Sequence, residues 1–230
     1  MERLASETTA NPTNRTPNER IRAALDGGPA TALRSVVPLQ VARANGAFFT
    51  GTDLAKRLIS SIESQLADGA VVSDLACGTG NLLTACAYHL PMRDSITQTL
   101  ELWGRYLCGT DIHDEFVRTT RARLALVALD RGATAGSEVV TLEEAFPQIR
   151  LGDGFEQTQM IQEAECITLN PPFTLTIAPS NCTWATGKVS TAALMLETCV
   201  LNAKPGTKIV AILPEVLRTG SHYLTLAQRD

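Results

Sequence analysis

Five short apolar runs, AVVSDLA, RYLCGTD, QIRLGD, ECITLN and TKIVAILP, punctuate residues 70–214, with helical stretches between them. Runs that are apolar almost throughout suit strands covered on both faces, and their alternation with helices predicts an α/β chain with a doubly wound, mainly parallel sheet. In such a sheet ligands bind beyond the carboxyl ends of the strands, near the point where strand order reverses. The chemistry-bearing residues concentrate there, since DLACGTG, GTDI, LGDGF, LNPPF and LPEV each close a predicted strand.

The helical stretches are residues 52–66, with Asp53 in the first turn where the helix dipole favours an acid, a helix starting near Leu82, residues 115–129, residues 155–164 and residues 192–203. Ahead of them, residues 1–18 read as a flexible polar tail, and residues 19–45 as a helical segment of two short helices separated at residues 27–29. Residues 46–230 then form the main domain. Hydrophobic residues make up 44% of the 230, enough for one sizeable core, and a net charge of −4 excludes bulk positive charge as a grip on nucleic acid while leaving room for a local basic groove. The six cysteines show no CxxC pair, which points to free thiols in a reducing compartment rather than a disulfide or zinc framework. With neither an N-terminal apolar core nor a long apolar stretch, the expected location is the cytoplasm, with no metal and no membrane contact.

The glycine-rich turn Asp74-Leu75-Ala76-Cys77-Gly78-Thr79-Gly80 follows a strand and opens a helix, so its glycines allow a tight turn and a close backbone approach. It lacks the Gly-Lys-Ser/Thr ending of a P-loop and the GxGxxG spacing. An acid closing the strand suits a ligand bearing positive charge or hydroxyls; the plain alternative is a turn with no ligand. Asp111 stands where a doubly wound fold places the acid that binds ribose hydroxyls, although it could equally cap the helix that follows. Asp153 could accept from an amino group or be a solvated turn residue. Asn170-Pro171-Pro172-Phe173 is the sharpest feature. Two prolines stiffen the backbone and remove two N–H donors, so carbonyls and the Asn side chain form an acceptor array beside an aromatic ring. Such an array fits a planar group bearing an amine.

In this order, DLACGTGNL, GTDI, GD and NPPF resemble the S-adenosylmethionine-dependent N6-adenine DNA methyltransferases. GAFFTGTDLAKRLI ahead of the glycine turn and AKPGTKIVAILPEVLRTGSHY after the NPPF motif extend the likeness over most of residues 46–230. The motif order is that of the gamma group, which includes modification subunits of type I restriction systems and several type II enzymes. The resemblance implies a Rossmann-like methyltransferase fold. It also implies that Thr50, with Phe49 beside it, touches the methionine carboxylate. Asp74 and the backbone of Ala76, Cys77, Gly78 and Gly80 would wrap the methionine part. Asp111 would hold the ribose hydroxyls, Ile112 would pack on the cofactor's adenine, and Asp153 would accept from its amino group. Asn170 and the Pro171 carbonyl, stiffened by Pro172, would hold the target amine while Phe173 stacks on a flipped adenine of DNA. Gly51, Leu75 and Phe173 depart from the common Pro, Pro and Tyr without removing a chemical group. Cys77 fills a small-residue position and is not read as a nucleophile.

The resemblance further implies that the last strands of the family's sheet and a target-recognition region, or a specificity subunit, lie outside this chain. On that expectation the chain alone would bind cofactor but methylate duplex DNA poorly. Residues 174–190 read as a mobile loop able to close over the base, with Trp184 or Lys188 either meeting DNA or belonging to a plain surface loop. Arg118, Arg121 and Arg123 read as a solvated helix face. The rival readings are a protein glutamine or RNA methyltransferase with the same NPPF chemistry, and a non-catalytic cofactor-binding subunit of a restriction complex.

Overall fold

The computed structural model describes residues 16–25, 51–136, 139–215 and 217. Five strands form one parallel sheet in the order β3-β2-β1-β4-β7, where β1 is Val72–Asp74, β2 Leu107–Asp111, β3 Ile149–Leu151, β4 Cys166–Leu169 and β7 Lys208–Ala211. All five lie inside the five apolar runs. From β1 the chain moves outward to β2 and β3, then returns to the other side of β1 for β4 and β7. The order therefore reverses between β1 and β4, which pair with Asp74 opposite Thr168.

Both central strands are wholly buried, and their side chains serve two cores. Val72 and Cys166 belong to a core with Ile59, Leu83, Trp103, Leu124 and Ile149. Leu75, Ile167 and Leu169 belong to a second with Ile161, Met195 and Cys199. Helices α4 (Asn81–Ala87), α5 (Ile96–Tyr106) and α6 (Asp114–Asp130) supply residues to the first core, and α8 (Thr158–Glu163) and α9 (Thr191–Asn202) to the second. The sequence-derived helix at 52–66 is in fact α2 (Thr52–Ile59), one 3-10 turn and α3 (Glu63–Ala67). Helix α1 (Pro17–Leu25) starts two residues ahead of the expected segment. A proline is well placed in its first turn, and Thr16 and Glu19 exchange hydrogen bonds there. The rest of the N-terminal segment, Phe49 and Thr50 lie outside the described residues.

Three elements were not expected. Helix α5 is capped by Ser95, whose hydroxyl accepts from the Gln98 amide at 3.2 Å. Helix α7 (Leu142–Ala145) begins with a reciprocal Thr141–Glu144 cap. Residues 174–190, read from sequence as a mobile loop, contain an antiparallel hairpin of β5 (Leu175–Ile177) and β6 (Lys188–Ser190). Trp184 is buried beside Val189, Ala193 and Leu194, so its ring packs inward rather than presenting itself to a ligand.

The tightest helix contact is at Gly104. A Cβ there would sit 1.8 Å from the Ala145 carbonyl oxygen. Since main chain rather than a movable side chain is in the way, Gly104→Ala is expected to destabilise the fold by at least about 2 kcal/mol. For a domain of this size that is a Tm decrease of roughly 4–8 °C in a thermal melt.

Candidate active site

A cavity of about 280 Å³ opens where β1 and β4 diverge. Its walls bring together Asp74, Ala76, Cys77, Gly78, Asp111, Ile112, Asp153, Asn170 and Pro172, drawn from the ends of β1, β2, β3 and β4. Gly80, Pro171 and Phe173 adjoin these residues in the chain but do not form its walls. Pro171 is buried, and Phe173 is half-buried.

Hydrogen bonds to neighbouring loops hold the glycine turn. The Cys77 amide donates to the Thr110 carbonyl at 2.9 Å, and the Gly80 amide to the Cys77 carbonyl at 2.8 Å. The Gly78 amide donates to Asp111 Oδ2 at 2.9 Å. Gly78 and Gly80 have φ of +53° and +78°, a left-handed conformation that favours glycine. At Gly80 space is short as well, because a Cβ would lie 2.6 Å from Thr120 Cγ2. At Gly78 nothing lies within 4 Å of that position, which leaves a backbone cradle open toward the cavity.

Asp111 does not cap the following helix with its side chain, whose N-cap residue is His113. Its carboxylate instead ties the glycine turn to the β2 loop, taking the Gly78 amide on one oxygen and the His113 amide, at 2.9 Å, on the other. Each oxygen retains acceptor capacity toward the cavity. Asp153 accepts from the Phe155 amide at 3.0 Å as the cap of a short 3-10 turn, and it too lines the cavity. Gly152 and Thr110 join the two loops, with the Thr110 hydroxyl donating to the Gly152 carbonyl at 2.9 Å.

Arg123, read from sequence as part of a solvated face, is 4% exposed. Its guanidinium donates to the Thr79 carbonyl at 2.6 Å and the Leu25 carbonyl at 3.0 Å, so it buttresses the turn from behind and fastens α1 to it. Arg118 fits the surface reading, pairing with Asp114. Arg121 donates to the Ile149 carbonyl at 2.9 Å. Sequence reasoning also missed His113, Phe116, Phe155, Thr191 and Met195 among the cavity walls. Of these, His113 and Phe155 carried a signal, each directly following a strand-end motif, GTDI and LGDG.

Electrostatically the cavity is acidic, because Asp74, Asp111 and Asp153 share its walls. Burial pushes the Asp74 carboxyl up to about 7, with the Ala76 amide and the Thr168 hydroxyl pulling the other way and Asp111 adding to the rise. Burial also raises Asp111, against the His113 and Gly78 amides. In the unfolded chain Asp74 loses its proton near 3.8, whereas the folded protein keeps it to about 7. Stability therefore falls as pH rises through that window and changes no further above it. An Asp74→Asn variant should lose this slope, gaining on the parent between pH 4 and 7, as urea melts across the range would show.

A five-stranded parallel sheet with a glycine turn, an acid at the end of β2 and an Asn-Pro-Pro-Phe motif at the end of β4 has the layout of the α/β folds that bind nucleotide-type ligands at the strand ends. Residues 38–191 match the N-6 DNA methylase family, and the chain belongs to that family. No curated protein sequence matches it. Among solved structures, the modification subunit of a putative type I restriction enzyme from Vibrio vulnificus is similar at a TM-score of 0.54 and 14% identity, over 88% of this chain and 41% of that one. The type IIG restriction endonuclease BpuSI is similar at a TM-score of 0.53 and 20% identity, over 86% of this chain and 22% of that one. These likenesses establish the Rossmann-like methyltransferase fold. The chain spans less than half the length of either protein. Among the described residues, no His, Cys, Asp and Glu group could hold a metal ion, and no helix is long and apolar enough to cross a membrane.

Proposed function

We propose that this chain is the catalytic domain of an S-adenosylmethionine-dependent methyltransferase that modifies the N6 amine of adenine in DNA, as part of a restriction-modification system. Family membership supports the methyl transfer. The observation that carries the site is one cavity whose walls include Asn170, the glycine turn and three carboxylates, Asp74, Asp111 and Asp153, from the ends of three strands. An acidic cradle suits a cofactor with an ammonium, a sulfonium and ribose hydroxyls, and disfavours a pyrophosphate.

When bound, S-adenosylmethionine supplies an electrophilic methyl group on a sulfonium. The turn backbone at Ala76–Gly78 borders its methionine part, Asp111 accepts from the ribose hydroxyls, and Ile112 and Asp153 meet the adenine face and amine. Phe49 and Thr50 are assigned to the carboxylate by family resemblance. On the substrate side, the Asn170 amide oxygen at the cavity wall and, by family resemblance, the Pro171 carbonyl accept the two N–H groups of the target amine. These bonds draw nitrogen lone-pair density out of the ring and toward the methyl group, so orientation and charge placement lower the barrier. Phe173 stacks on the base, which must first leave the duplex. Sequence choice is assigned to a separate recognition region or subunit.

Tritiated methyl transfer to adenine-containing DNA, measured against peptide and ribosomal RNA acceptors, tests this reading. Label appearing as N6-methyladenine in DNA is the expected outcome. Label in peptide or RNA alone would replace it.

A further inference from the structure

The β5–β6 hairpin rises from the rim of the cavity. Its base is joined there by the Thr191 amide, which donates to the Thr174 carbonyl at 2.9 Å, and by a 2.9 Å contact between the two threonine hydroxyls. Thr191 itself lines the cavity with Asn170 and Pro172. The two strands differ in exposure, β5 being exposed along its length while Val189 and Ser190 of β6 are buried. Val189 turns inward to the small core around Trp184. Leu175 and Ile177, two residues apart on one face, are 67% and 78% exposed. Lys188 lies directly opposite Ile177 and is exposed. Two large aliphatic side chains in solvent, on a strand whose hairpin partner β6 is anchored in that core through Val189, need a partner.

Charge indicates which partner. Residues 166–196 contain no Asp or Glu, although the chain as a whole carries 24. A stretch cleared of carboxylates, with one cation beside an apolar pair, suits an approach to phosphodiesters. We propose that Leu175 and Ile177 form an apolar wedge that enters the duplex beside the target adenine and occupies stack space as the base turns toward Asn170. Leucine and isoleucine are residues that proteins insert between base steps. This rests on the methylation reading above and adds how the base is kept out of the helix.

The test uses the full chain, with any subunit that copurifies, and the site it methylates as read from its product. Leu175→Ser combined with Ile177→Ser should slow methylation of a fully paired duplex by at least about tenfold, because the unstacking cost is no longer offset. On the same duplex with an abasic position opposite the target adenine, its rate should lie within about twofold of the parent protein, since less remains to be unpaired. With 2-aminopurine at the target position, the fluorescence rise on binding should shrink in the variant. Equal loss on both duplexes, loss of a copurifying subunit, or no loss on the paired duplex would overturn the wedge while leaving the parent's activity in place. A parent protein that methylates neither duplex would instead overturn the methylation reading and the wedge with it.

Discussion

Asn170→Ala is expected to reduce methyl transfer to DNA by at least about 100-fold in kcat, the scale of removing one placed hydrogen-bonding group from a reacting centre. Cofactor affinity should change by less than about threefold, because the glycine turn and Asp111 keep their own bonds. The expectation follows from the cavity. Asn170 follows β4, whose pairing with β1 sets Thr168 opposite Asp74, so its side chain meets the same space as the turn. Alanine leaves that space but removes the acceptor. Single-turnover methylation with calorimetric cofactor binding separates the two effects. A variant with unchanged transfer would favour a non-catalytic, cofactor-holding subunit.

Asp111→Ala should act on the other side of the cavity and in the opposite pattern. The substitution deletes the acceptor of the Gly78 and His113 amides, together with the proposed ribose contacts. Hydrogen bonds to a charged group are worth about 1.5–3 kcal/mol each. Losing the two proposed ribose contacts raises the cofactor Kd by at least about 100-fold. At saturating cofactor, transfer should recover to within several-fold of the parent. Wild-type affinity, read by calorimetry, would remove Asp111 from the cofactor site.

The strands and the loops that close them were legible in the sequence because parallel strands buried on both faces leave uninterrupted apolar runs. The left-handed turns likewise required glycine where the sequence has it, at Gly78 and Gly80. Helix α5 escaped notice because its buried face includes Thr97, Thr99 and Gly104 beside Leu100 and Trp103, which blurs the apolar period. The hairpin escaped because strands of three residues among Pro179, Gly187 and polar neighbours look like loop. Of the cavity walls from α6 and α9, Phe116 lies one helical turn beyond the GTDI motif without belonging to it, and Thr191 and Met195 sit far in sequence from any motif. Only the folded sheet brings them to the site. Arg123 was misread for a related reason. An arginine three turns into a helix looks solvated until the carbonyls of Thr79 and Leu25 are found around it.

That arginine has a mechanical consequence. Among the described residues its guanidinium pairs with no carboxylate, and its two terminal nitrogens donate to oxygens from two separate pieces of chain. Peeling α1 away would strip one of those oxygens from a cation that water scarcely reaches, and the energetic cost would fall on the other piece, the turn. Undocking of the amino-terminal helix and softening of the ligand cradle are thus coupled through one side chain, and a molecule that stiffens the cradle should also favour the docked state of a helix that does not line its cavity.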